Sequence, residues 1–536
     1  MKQHVMNNKK LITIMIVAAF LRLAFLGSAA LWYDETFTAW VSSVPFGQTW
    51  AALLGDVHPP LYYLLTWLVV NTTGVFTPGG LALVLRALSV PFSLGAVYLT
   101  YIVGKALGWP ERGNLAAAAL MALSPMQIFF AQEARMYAMF QAVILLAFLG
   151  VIKRNWGVVA LGLTLALWLH NYGLIYWGAL GLVFIANYWH HSIVIPQEAK
   201  ILPLFFKTYG PPIVAFVLPI VSWLPWVSVL AGQMETVAGG YWILPPTLGD
   251  IISVFYYTLG GIVIHESFHA VAVMVYLGAA ILALYRMLQK RPMGWVPLVI
   301  FGFAPLSVAV VASYMWSPIL LYRGLLPSSA AVFLLMGWAL TRGPVRNQII
   351  AAFLTIPVLI AALYPLYVSN PKNSNQAVRK TIENMRAEWQ TGDIIYHIDA
   401  GSAVGFWLYA RDLPQYLAPP CEDETMGSLS PATRQGLGII EKPLSEIEHS
   451  RAWVVYALGP TARACMVRDY GYLAKGNAWE LTEDSEYVFS GVWLHERSTS
   501  NKVKQKTNLK YPIAQCYLRW GNKEISTICR TIRTRK

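Results

Sequence analysis

Long apolar runs alternate with short polar segments over most of the chain, between Leu11 and Tyr367. Many of these runs hold about 20 residues, and a helix of that length crosses a hydrocarbon core of roughly 30 Å. The pattern therefore predicts about eleven transmembrane helices. They cover residues 11–30, 81–107, 114–131, 137–152, 156–172, 173–189, 211–230, 268–286, 294–313, 324–340 and 348–366.

Charged residues are scarce in this apolar part and common after Lys372. They make up 12% of the 536 residues, against roughly 25% in soluble globular proteins. The predicted fold class is an α-helical polytopic membrane protein with a small C-terminal α/β domain. We divide the chain into a membrane domain at residues 1–368, an extracytoplasmic domain at 369–496 and a basic tail at 497–536.

Basic residues predict the orientation of the helices. If the N-terminus is cytoplasmic, every basic cluster of the membrane domain falls on the cytoplasmic side, as the positive-inside rule requires. These clusters are Lys9 and Lys10; Lys105 and Arg112; Lys153 and Arg154; Lys200 and Lys207; Arg286, Lys290 and Arg291; and Arg342 and Arg346. We therefore expect a multi-pass protein of the inner or plasma membrane whose C-terminal domain lies outside the cytoplasm.

The formal net charge of +13 would suit a nucleic-acid partner. The basic residues, however, lie mostly at the inner ends of the predicted helices and in the tail, so we expect no nucleic acid among the partners. The tail is expected either to contact the anionic headgroups of membrane lipid or to be a solvated, flexible end.

The C-terminal part carries the elements of a small α/β domain and all four cysteines. Strands are predicted at Asp393–Ile398, Ala452–Leu458 and Tyr487–Leu494, and a helix at Asn375–Trp389. The cysteines are Cys421, Cys465, Cys516 and Cys529. An extracytoplasmic position permits disulfides, for which four cysteines allow three pairings. Buried free thiols are the alternative.

Acidic and imidazole side chains gather in the first outer loop, residues 31–80. They are Asp34, Glu35, Asp56 and His58. The apolar run after Pro60 is short for a transmembrane helix and suits a helix that lies in the membrane interface. A carboxylate at this surface can accept a proton from an incoming hydroxyl or bind a divalent metal. The alternative is an ordinary solvated loop, in which acidic pairs are common.

Four arginines depart from the positive-inside pattern. Arg22 lies within the first helix, and Arg86, Arg135 and Arg323 lie at or near outer helix ends. A guanidinium in or beside hydrocarbon is costly unless it is paired or faces an aqueous cavity. Each arginine therefore has either a structural role or a role in a site, and we favour a site for Arg135 and Arg323.

Four stretches spread over the membrane domain carry the most specific signal in the sequence. They are Asp34-Glu35; Asp56-Val57-His58-Pro59-Pro60-Leu61-Tyr62-Tyr63; Ser124-Pro125 followed by Gln132-Glu133-Ala134-Arg135-Met136-Tyr137; and Pro318 to Pro327, with Tyr322-Arg323 inside it. In this order they resemble the GT-C glycosyltransferases. More narrowly, they look like bacterial family-39-type enzymes related to protein O-mannosyltransferases and lipid A aminoarabinose transferases. The C-terminal part adds no family signal.

The resemblance implies a GT-C fold and a membrane enzyme that uses a polyprenyl-phosphate-linked sugar as donor. It also implies inversion at the anomeric carbon, and a role at the acceptor for Asp34, which matches the aspartate of the family's first outer loop. The sequence leaves the sugar open. It also leaves the acceptor open, because acceptors in such families include protein, lipid and glycan.

The residues themselves suit this chemistry. Arg135 and Arg323 would bind the donor phosphate, because guanidinium groups contact phosphate in bidentate fashion and stabilise charge on a leaving phosphate. Asp34 would be the base that a single displacement needs, with Glu35 as its catalytic neighbour. The expected substrate-binding residues are Asp56, His58, Glu133, Tyr137, His170, Tyr172 and Tyr322. For His170-Asn171-Tyr172, an aromatic belt at the interface is an equal alternative.

The sequence establishes no cofactor and leaves a divalent metal ion open. The carboxylates that would hold it are Asp34, Glu35 and Glu133. In the absence of a metal, Glu35 or Glu133 would orient the acceptor. The alternative metal ligands are His265 and His269.

These two histidines belong to His265-Glu266-Ser267-Phe268-His269, which satisfies the H-E-x-x-H pattern. On a helix, two histidines four residues apart share a face and can chelate zinc, with the glutamate as base. A membrane zinc protease is therefore a second hypothesis, disfavoured because no third ligand motif is evident. A third hypothesis is a lipid or sugar transporter. It is disfavoured because the charges of a transporter should line a path across the membrane.

Overall fold

The computed structural model describes most of the chain in segments. They are residues 2–189, 201–238, 243, 245–258, 278–279, 281–342, 344–368, 376–398, 400–419, 431–443, 446–448, 451–457, 489–496, 515–519 and 526–530. The chain forms two compact units. The first comprises Met1–Ser28, Val57–Gly232 and Ile243–Pro371, and the second comprises Ala29–Asp56, Gln233–Trp242 and Lys372–Lys536.

Apart from turns, the described chain is helical up to residue 368. Its helices are α1 (Lys2–Leu23), α2 (Tyr33–Ser43), α3 (Phe46–Leu54), α4 (Leu61–Thr73), α5 (Pro78–Ala106), α6 (Glu111–Leu123), α7 (Pro125–Ala131), α8 (Tyr137–Lys153), α9 (Trp156–Leu169), α10 (Gly173–Trp189), α11 (Ile201–Ala238), α12 (Leu248–Thr258), α13 (Trp295–Met315), a 3₁₀ helix (Tyr322–Ser328), α14 (Ser329–Leu340) and α15 (Val345–Val368). Residues 281–290 are also helical. Helices α2 and α3 belong to the second unit.

Several of the described helices are long and apolar enough to cross a membrane. They are Pro78–Ala106, Tyr209–Met234, Trp295–Met315 and Tyr322–Leu340. The bent pair Glu111–Leu123 and Pro125–Ala131 is a further candidate, and shorter apolar helices lie at Tyr137–Lys153, Trp156–Leu169 and Gly173–Asn187. The polytopic helical fold class is confirmed, while the number of eleven spans stays a prediction. Most of the predicted helix 268–286 lies outside the described residues.

The bend of 59° between α6 and α7 has a local cause. Ser124 has extended backbone, with φ −63° and ψ 122°, and Pro125 is the first residue of α7. Proline has no N–H with which to continue α6, and its ring disfavours helical backbone in the residue before it. The predicted span 114–131 is therefore two short helices, and the last carbonyl groups of α6 lose their partners within the helix.

Arg22 of α1 supplies partners for those carbonyl groups. Its Nη1 donates to the carbonyl of Ala122 at 3.0 Å, and its Nη2 donates to the carbonyl of Met121 at 3.3 Å. Its Nε donates to Ser93 Oγ of α5 at 2.8 Å. The C-terminal end of a helix also favours a cation through its dipole. Arg22 is fully buried and has a structural role, because it joins α1 to α5 and α6.

The second unit contains a mixed five-stranded sheet. Its C-terminal elements are α16 (Gln376–Ala387), β1 (Asp393–His397), α17 (Ala400–Tyr409), β2 (Gln415–Leu417), α18 (Pro431–Gly436), β3 (Ile440–Glu441), β4 (Arg451–Ala457) and β5 (Phe489–Glu496). The strand order is β3-β2-β1-β4-β5, with β5 antiparallel to β4 and the other neighbours parallel. The predicted helix and the three predicted strands of this domain are confirmed as α16, β1, β4 and β5.

Strand β1 contributes to an apolar core on each face of the sheet, because successive side chains of a strand point to opposite faces. Ile394 and Tyr396 pack with Val454 of β4 in one core. Ile395 packs with Val455 of β4 in the other core, together with apolar residues of α16 and α17. The sheet therefore gives α17 a fixed surface on which to pack.

The basic tail contains two further strands, β6 (Gln515–Arg519) and β7 (Ser526–Arg530), which pair antiparallel. Their register places Cys516 directly opposite Cys529. Opposed residues of an antiparallel pair have Cα atoms about 4.5–5.5 Å apart, which falls within the range of roughly 4.4–6.8 Å that a disulfide needs. Cys421 and Cys465 lie outside the described residues.

We predict a disulfide between Cys516 and Cys529, because the register brings their backbones within bonding range. Peptide mapping of the unreduced protein by mass spectrometry should recover the linked pair, and reduction should separate it. The variant Cys516→Ser should leave Cys529 open to alkylation. A bond from Cys516 to Cys421 or to Cys465 would contradict the register.

Candidate functional site

Most of the predicted site residues lie in turns or at helix ends of the first unit. They are His58, before α4; Glu133 and Arg135, between α7 and α8; Tyr137, the first residue of α8; His170 and Tyr172, between α9 and α10; and Tyr322 and Arg323, which begin the 3₁₀ helix. Apolar side chains of these helices pack against one another. The polar side chains named above lie at the ends of these helices, and several of them contact one another.

Arg135 is buried and held by two side chains. Its Nη1 donates to Tyr63 Oη at 2.8 Å, and its Nη2 lies 3.4 Å from His58 Nδ1. Since a guanidinium only donates, His58 accepts through Nδ1. The guanidinium carbon of Arg135 also lies 5.6 Å from the centre of the Tyr63 ring, within the range of a cation–π contact. The turn between α7 and α8, which carries Arg135, is anchored by Ser89, whose Oγ donates to the carbonyl of Glu133 at 2.7 Å.

The His170 ring contacts both His58, which lies beside Arg135, and Tyr137. Its ring centre lies 5.4 Å from that of His58 and 5.8 Å from that of Tyr137. The backbone N–H of Tyr172 donates to His170 Nδ1 at 3.1 Å, so the proton of the neutral ring sits on Nε2. The rings of Tyr172 and Phe140 flank His170 at 5.4 and 5.3 Å. We call His58, Tyr63, Tyr137, His170 and Tyr172 the ring cluster.

Arg323 lies at the other end of the ring cluster. Its guanidinium carbon is 5.7 Å from the centre of the Tyr137 ring, and its side chain is half-buried. The segment before it is held by Tyr172, whose Oη donates to the carbonyl of Ile319 and accepts from the N–H of Leu321 at 3.1 Å. A chain of contacts thus runs from Arg135 through the ring cluster to Arg323.

This arrangement combines two fixed cations with ring faces, hydroxyl groups and imidazole nitrogens. Guanidinium groups held against aromatic rings are restricted in orientation and remain charged, which suits the bidentate binding of a phosphate. The hydroxyl and imidazole groups of the ring cluster are donors and acceptors of the kind that bind sugar hydroxyls. The site therefore has the chemistry to hold an anion with a polar, neutral group beside it.

Asp34 and Glu35 lie in the second unit, in the first turn of α2 rather than in a loop. The carboxylate of Glu35 is fully buried and accepts from the N–H of Trp32 at 3.4 Å. A glutamate that reaches back to the backbone before the helix forms one half of a capping box, and negative charge is favoured at a helix N-terminus. Asp34 is half-buried. The structure therefore gives Glu35 a capping role and leaves Asp34 as the more accessible carboxylate.

Asp56 is the last residue of the first segment of the second unit, whereas His58 belongs to the first unit. Within the residues that the structure describes, no group of three or more His, Cys, Asp or Glu side chains is placed to hold a metal ion. His265, Glu266 and His269 lie outside the described residues. The roles expected for Asp56 and for a metal ion stay predictions.

Sequence analysis missed several residues that position the site. Tyr63 ends the stretch from Asp56 to Tyr63, but the sequence assigned no role to it. The sequence also assigned no role to Ser89, Phe140 or Gly324. Gly324 matters because an added Cβ would lie 2.7–2.9 Å from three atoms of the Tyr172 ring. None of these residues carries a local signal, because each acts through a neighbour that is distant in sequence.

Solved structures share the fold of this chain. Crystal structures of ArnT from Cupriavidus metallidurans, in the apo state and bound to undecaprenyl phosphate, each align with a TM-score of 0.55. The alignments cover 85% of this chain and 94% of ArnT, at 13% and 12% sequence identity. The oligosaccharyltransferase of Archaeoglobus fulgidus, solved with Zn and sulfate, aligns with a TM-score of 0.44 and 12% identity, over 83% of this chain and 68% of its own.

ArnT and the archaeal oligosaccharyltransferase are both GT-C glycosyltransferases. No protein-family model matches the sequence, and no curated protein matches it. The similarity to ArnT confirms the GT-C fold that the sequence resemblance implied.

We predict that Gly324→Ala lowers the stability of the folded protein. The added Cβ would press on the Tyr172 ring, which cannot retreat without losing its hydrogen bonds to Ile319 and Leu321. Overpacking of this kind costs about 1–3 kcal/mol, which should appear as a lower unfolding midpoint of the purified protein in detergent.

The matched control for this prediction is Gly178→Ala in α10, where an added Cβ meets nothing within 4 Å. Alanine exceeds glycine in helix propensity by about 1 kcal/mol, so this variant should unfold at the wild-type midpoint or above it. Equal midpoints for the two variants would mean that the Tyr172 ring is not fixed.

Proposed function

We propose that this chain, which has the fold of the GT-C glycosyltransferases, is a membrane glycosyltransferase that takes its sugar from a polyprenyl-phosphate-linked donor. The acceptor lies on the outer face of the membrane, and transfer inverts the anomeric carbon. The observation that carries the proposal is the pair of buried or half-buried arginines, Arg135 and Arg323, fixed at the two ends of the ring cluster. ArnT, which shares the fold, was solved with undecaprenyl phosphate, the kind of lipid phosphate that such a transfer releases.

In this proposal Arg135 and Arg323 bind the phosphate of the donor. The leaving phosphate gains negative charge as its bond to the sugar breaks, and fixed cations stabilise that charge without reorganisation. Arg135 is buried and contacts both Tyr63 and His58, which fix its orientation. Arg323 is less buried and lies against the Tyr137 ring.

The ring cluster binds the sugar of the donor. Tyr137 and His170 lie between the two arginines in the chain of ring contacts. His170 Nε2 carries the proton of the neutral ring and can donate to a sugar hydroxyl. We place Tyr322, Glu133, Tyr172 and His58 around the same sugar, and Asp56 on the acceptor side.

Asp34 acts as the base. The acceptor hydroxyl loses its proton to the Asp34 carboxylate as its oxygen forms a bond to the anomeric carbon. The bond from that carbon to the phosphate oxygen breaks at the same time, and its electron pair leaves with the polyprenyl phosphate. A single displacement of this kind inverts the anomeric carbon. Glu35 supports Asp34 by capping the helix that carries both residues.

The orientation belongs to the same proposal. With the N-terminus in the cytoplasm, the turns that carry Arg135 and Arg323 and the domain after α15 all lie outside. A lipid-linked sugar that has been moved to the outer leaflet would then reach the site directly. Acceptors on that side include lipid, glycan and secreted protein.

Comparison of cell envelopes with and without the protein tests the activity itself. Mass spectrometry of glycolipids, envelope glycans and secreted proteins should find a glycosylated species that is present only in cells that make the protein. Its mass difference identifies the sugar, and its carrier identifies the acceptor. Identical envelope profiles under conditions in which the protein is made would count against a transferase.

We predict that Arg323→Ala weakens the binding of undecaprenyl phosphate to the purified protein. Losing a charged hydrogen bond to phosphate costs about 1.5–3 kcal/mol, or roughly 10- to 150-fold in Kd. Lys153→Ala, which removes one positive charge from an exposed position at the end of α8, should leave Kd unchanged. Equal Kd values for the wild type and Arg323→Ala would assign Arg323 a structural role.

We predict that Asp34→Asn lowers turnover by about 10²- to 10⁴-fold, the usual contribution of a general base. Undecaprenyl phosphate should bind normally, because the substitution is nearly isosteric and leaves the two arginines in the protein. The measurement is the yield of the glycosylated species in cells that carry the variant, at equal protein level. Glu383→Gln, the same charge change on the exposed face of α16, is the control.

A companion variant separates the transferase from the zinc-protease hypothesis. His265→Ala would remove a first ligand from a zinc site and abolish a protease, whereas the proposed transferase keeps its activity. If His265→Ala lost all function of the protein while Asp34→Asn kept it, the transferase proposal would fail and the protease would be favoured.

A further inference from the structure

The segment that carries Asp34 is part of the same compact unit as the C-terminal α/β domain. Residues Ala29–Asp56 and Lys372–Lys536 fall together in the second unit. Helix α2 packs against α17, and α3 packs against α18. Sequence position alone would assign α2 to the membrane domain, because it directly follows the first apolar helix.

One hydrogen bond fixes the start of α2 on α17. The backbone N–H of Leu31 donates to Tyr409 Oη at 3.0 Å. Leu31 is 2% exposed, and a buried backbone N–H needs such a partner. Leu31 lies two residues before the first residue of α2, so this contact holds the chain directly before the helix. Asp34 stands in the first turn that follows.

Tyr409 is itself held in place. Its carbonyl accepts from Arg386 Nη2 at 3.2 Å. The same guanidinium donates to both carboxylate oxygens of Asp412, at 2.6 and 2.7 Å. This bidentate pair ties the end of α17 to α16, and the end of α17 carries the hydroxyl that meets Leu31.

A second contact fixes the other half of α2. The Trp40 indole is completely buried, and a Cβ added at Gly436 would lie 2.8 Å from its Cζ2. Only a residue without a side chain allows the end of α18 to approach the indole this closely. The helix that carries Asp34 is therefore held at its start by Tyr409 and along its length by Gly436.

We infer that the C-terminal α/β domain positions the catalytic base, with Tyr409 and Gly436 as positioning residues for Asp34. This inference rests on the proposed role of Asp34. A base must stay within hydrogen-bonding reach of the acceptor hydroxyl, and a displacement of about 1 Å can lower a rate by roughly 10²-fold. The domain therefore acts on the rate of the chemical step and leaves donor binding, which belongs to the arginines of the first unit, unchanged.

The test uses purified full-length Tyr409→Phe, which removes one hydroxyl and keeps the ring. With the polyprenyl-phosphate sugar that the envelope comparison identifies, kcat should fall about 10-fold or more, while the donor KM and the Kd for undecaprenyl phosphate stay within about 2-fold of wild type. Tyr416→Phe, a half-buried tyrosine of β2 in the same sheet, is the control and should keep the wild-type kcat.

Hydrogen exchange gives a readout that does not depend on activity. In Tyr409→Phe a peptide that starts before residue 29 and extends through residue 43 should exchange faster than in wild type, because the Leu31 amide loses its partner. The same peptide should be unchanged in Tyr416→Phe. If this peptide exchanged in Tyr409→Phe at the same rate as in the wild type, the inference would be overturned even if kcat fell.

The Trp40 contact is tested by rescue. Gly436→Ala should lower kcat, because the new methyl group pushes on the indole. The double variant Gly436→Ala/Trp40→Phe should recover part of the loss, because a phenyl ring lacks the Cζ2 atom that clashes. Gly47→Ala in α3, where an added Cβ meets nothing within 4 Å, is the matched control with wild-type kcat.

The outcomes separate this inference from the proposed function. If Asp34→Asn is inactive while Tyr409→Phe and Gly436→Ala keep the wild-type kcat, the domain does not position the base, and the transferase proposal stands. If Asp34→Asn is fully active, the proposed role of Asp34 fails. A rise in donor KM with unchanged kcat in Tyr409→Phe would place the residue in donor binding and overturn the inference.

Discussion

Arg22 satisfies the carbonyl groups that a broken helix leaves open, and the rest of the first unit depends on that contact. Pro125 ends α6. Because proline has no N–H, the carbonyl of Met121, four residues earlier, has no donor within the helix. Backbone polar groups at membrane depth must be satisfied within the protein, and the buried guanidinium of Arg22 does this while joining three helices. The same break starts α7, which leads into the turn that carries Glu133 and Arg135.

The arginines of the membrane part divide into two kinds by their partners. Arg22 donates to backbone carbonyls and to a serine, so its hydrogen bonds are used within the fold. Arg135 and Arg323 lie against ring faces, which orient a cation, and Arg135 also donates to Tyr63 and contacts His58. The ring contacts are the feature that these two arginines share, and our proposal that they bind phosphate starts from it.

In our proposal, each unit contributes different groups to the chemistry. The first unit holds the two cations and the rings that would bind the donor. The second unit holds Asp34 on a short helix that is capped by Glu35 and anchored to the α/β domain through Tyr409. In this proposal the C-terminal domain has a role in catalysis.

The sequence by itself determined the features that depend on local properties. Run length and hydropathy predicted the helical membrane part, the sequence of the C-terminal part predicted β1, β4 and β5, and the charge pattern singled out Arg135 and Arg323. Only the tertiary structure decided that Arg22 is structural, that Tyr63 and Tyr137 hold the two site arginines, and that α2 belongs with the C-terminal domain. These facts depend on contacts such as Leu31 with Tyr409, whose residues are far apart in the chain. No periodicity encodes such pairs, because they arise only when helices and sheet pack together.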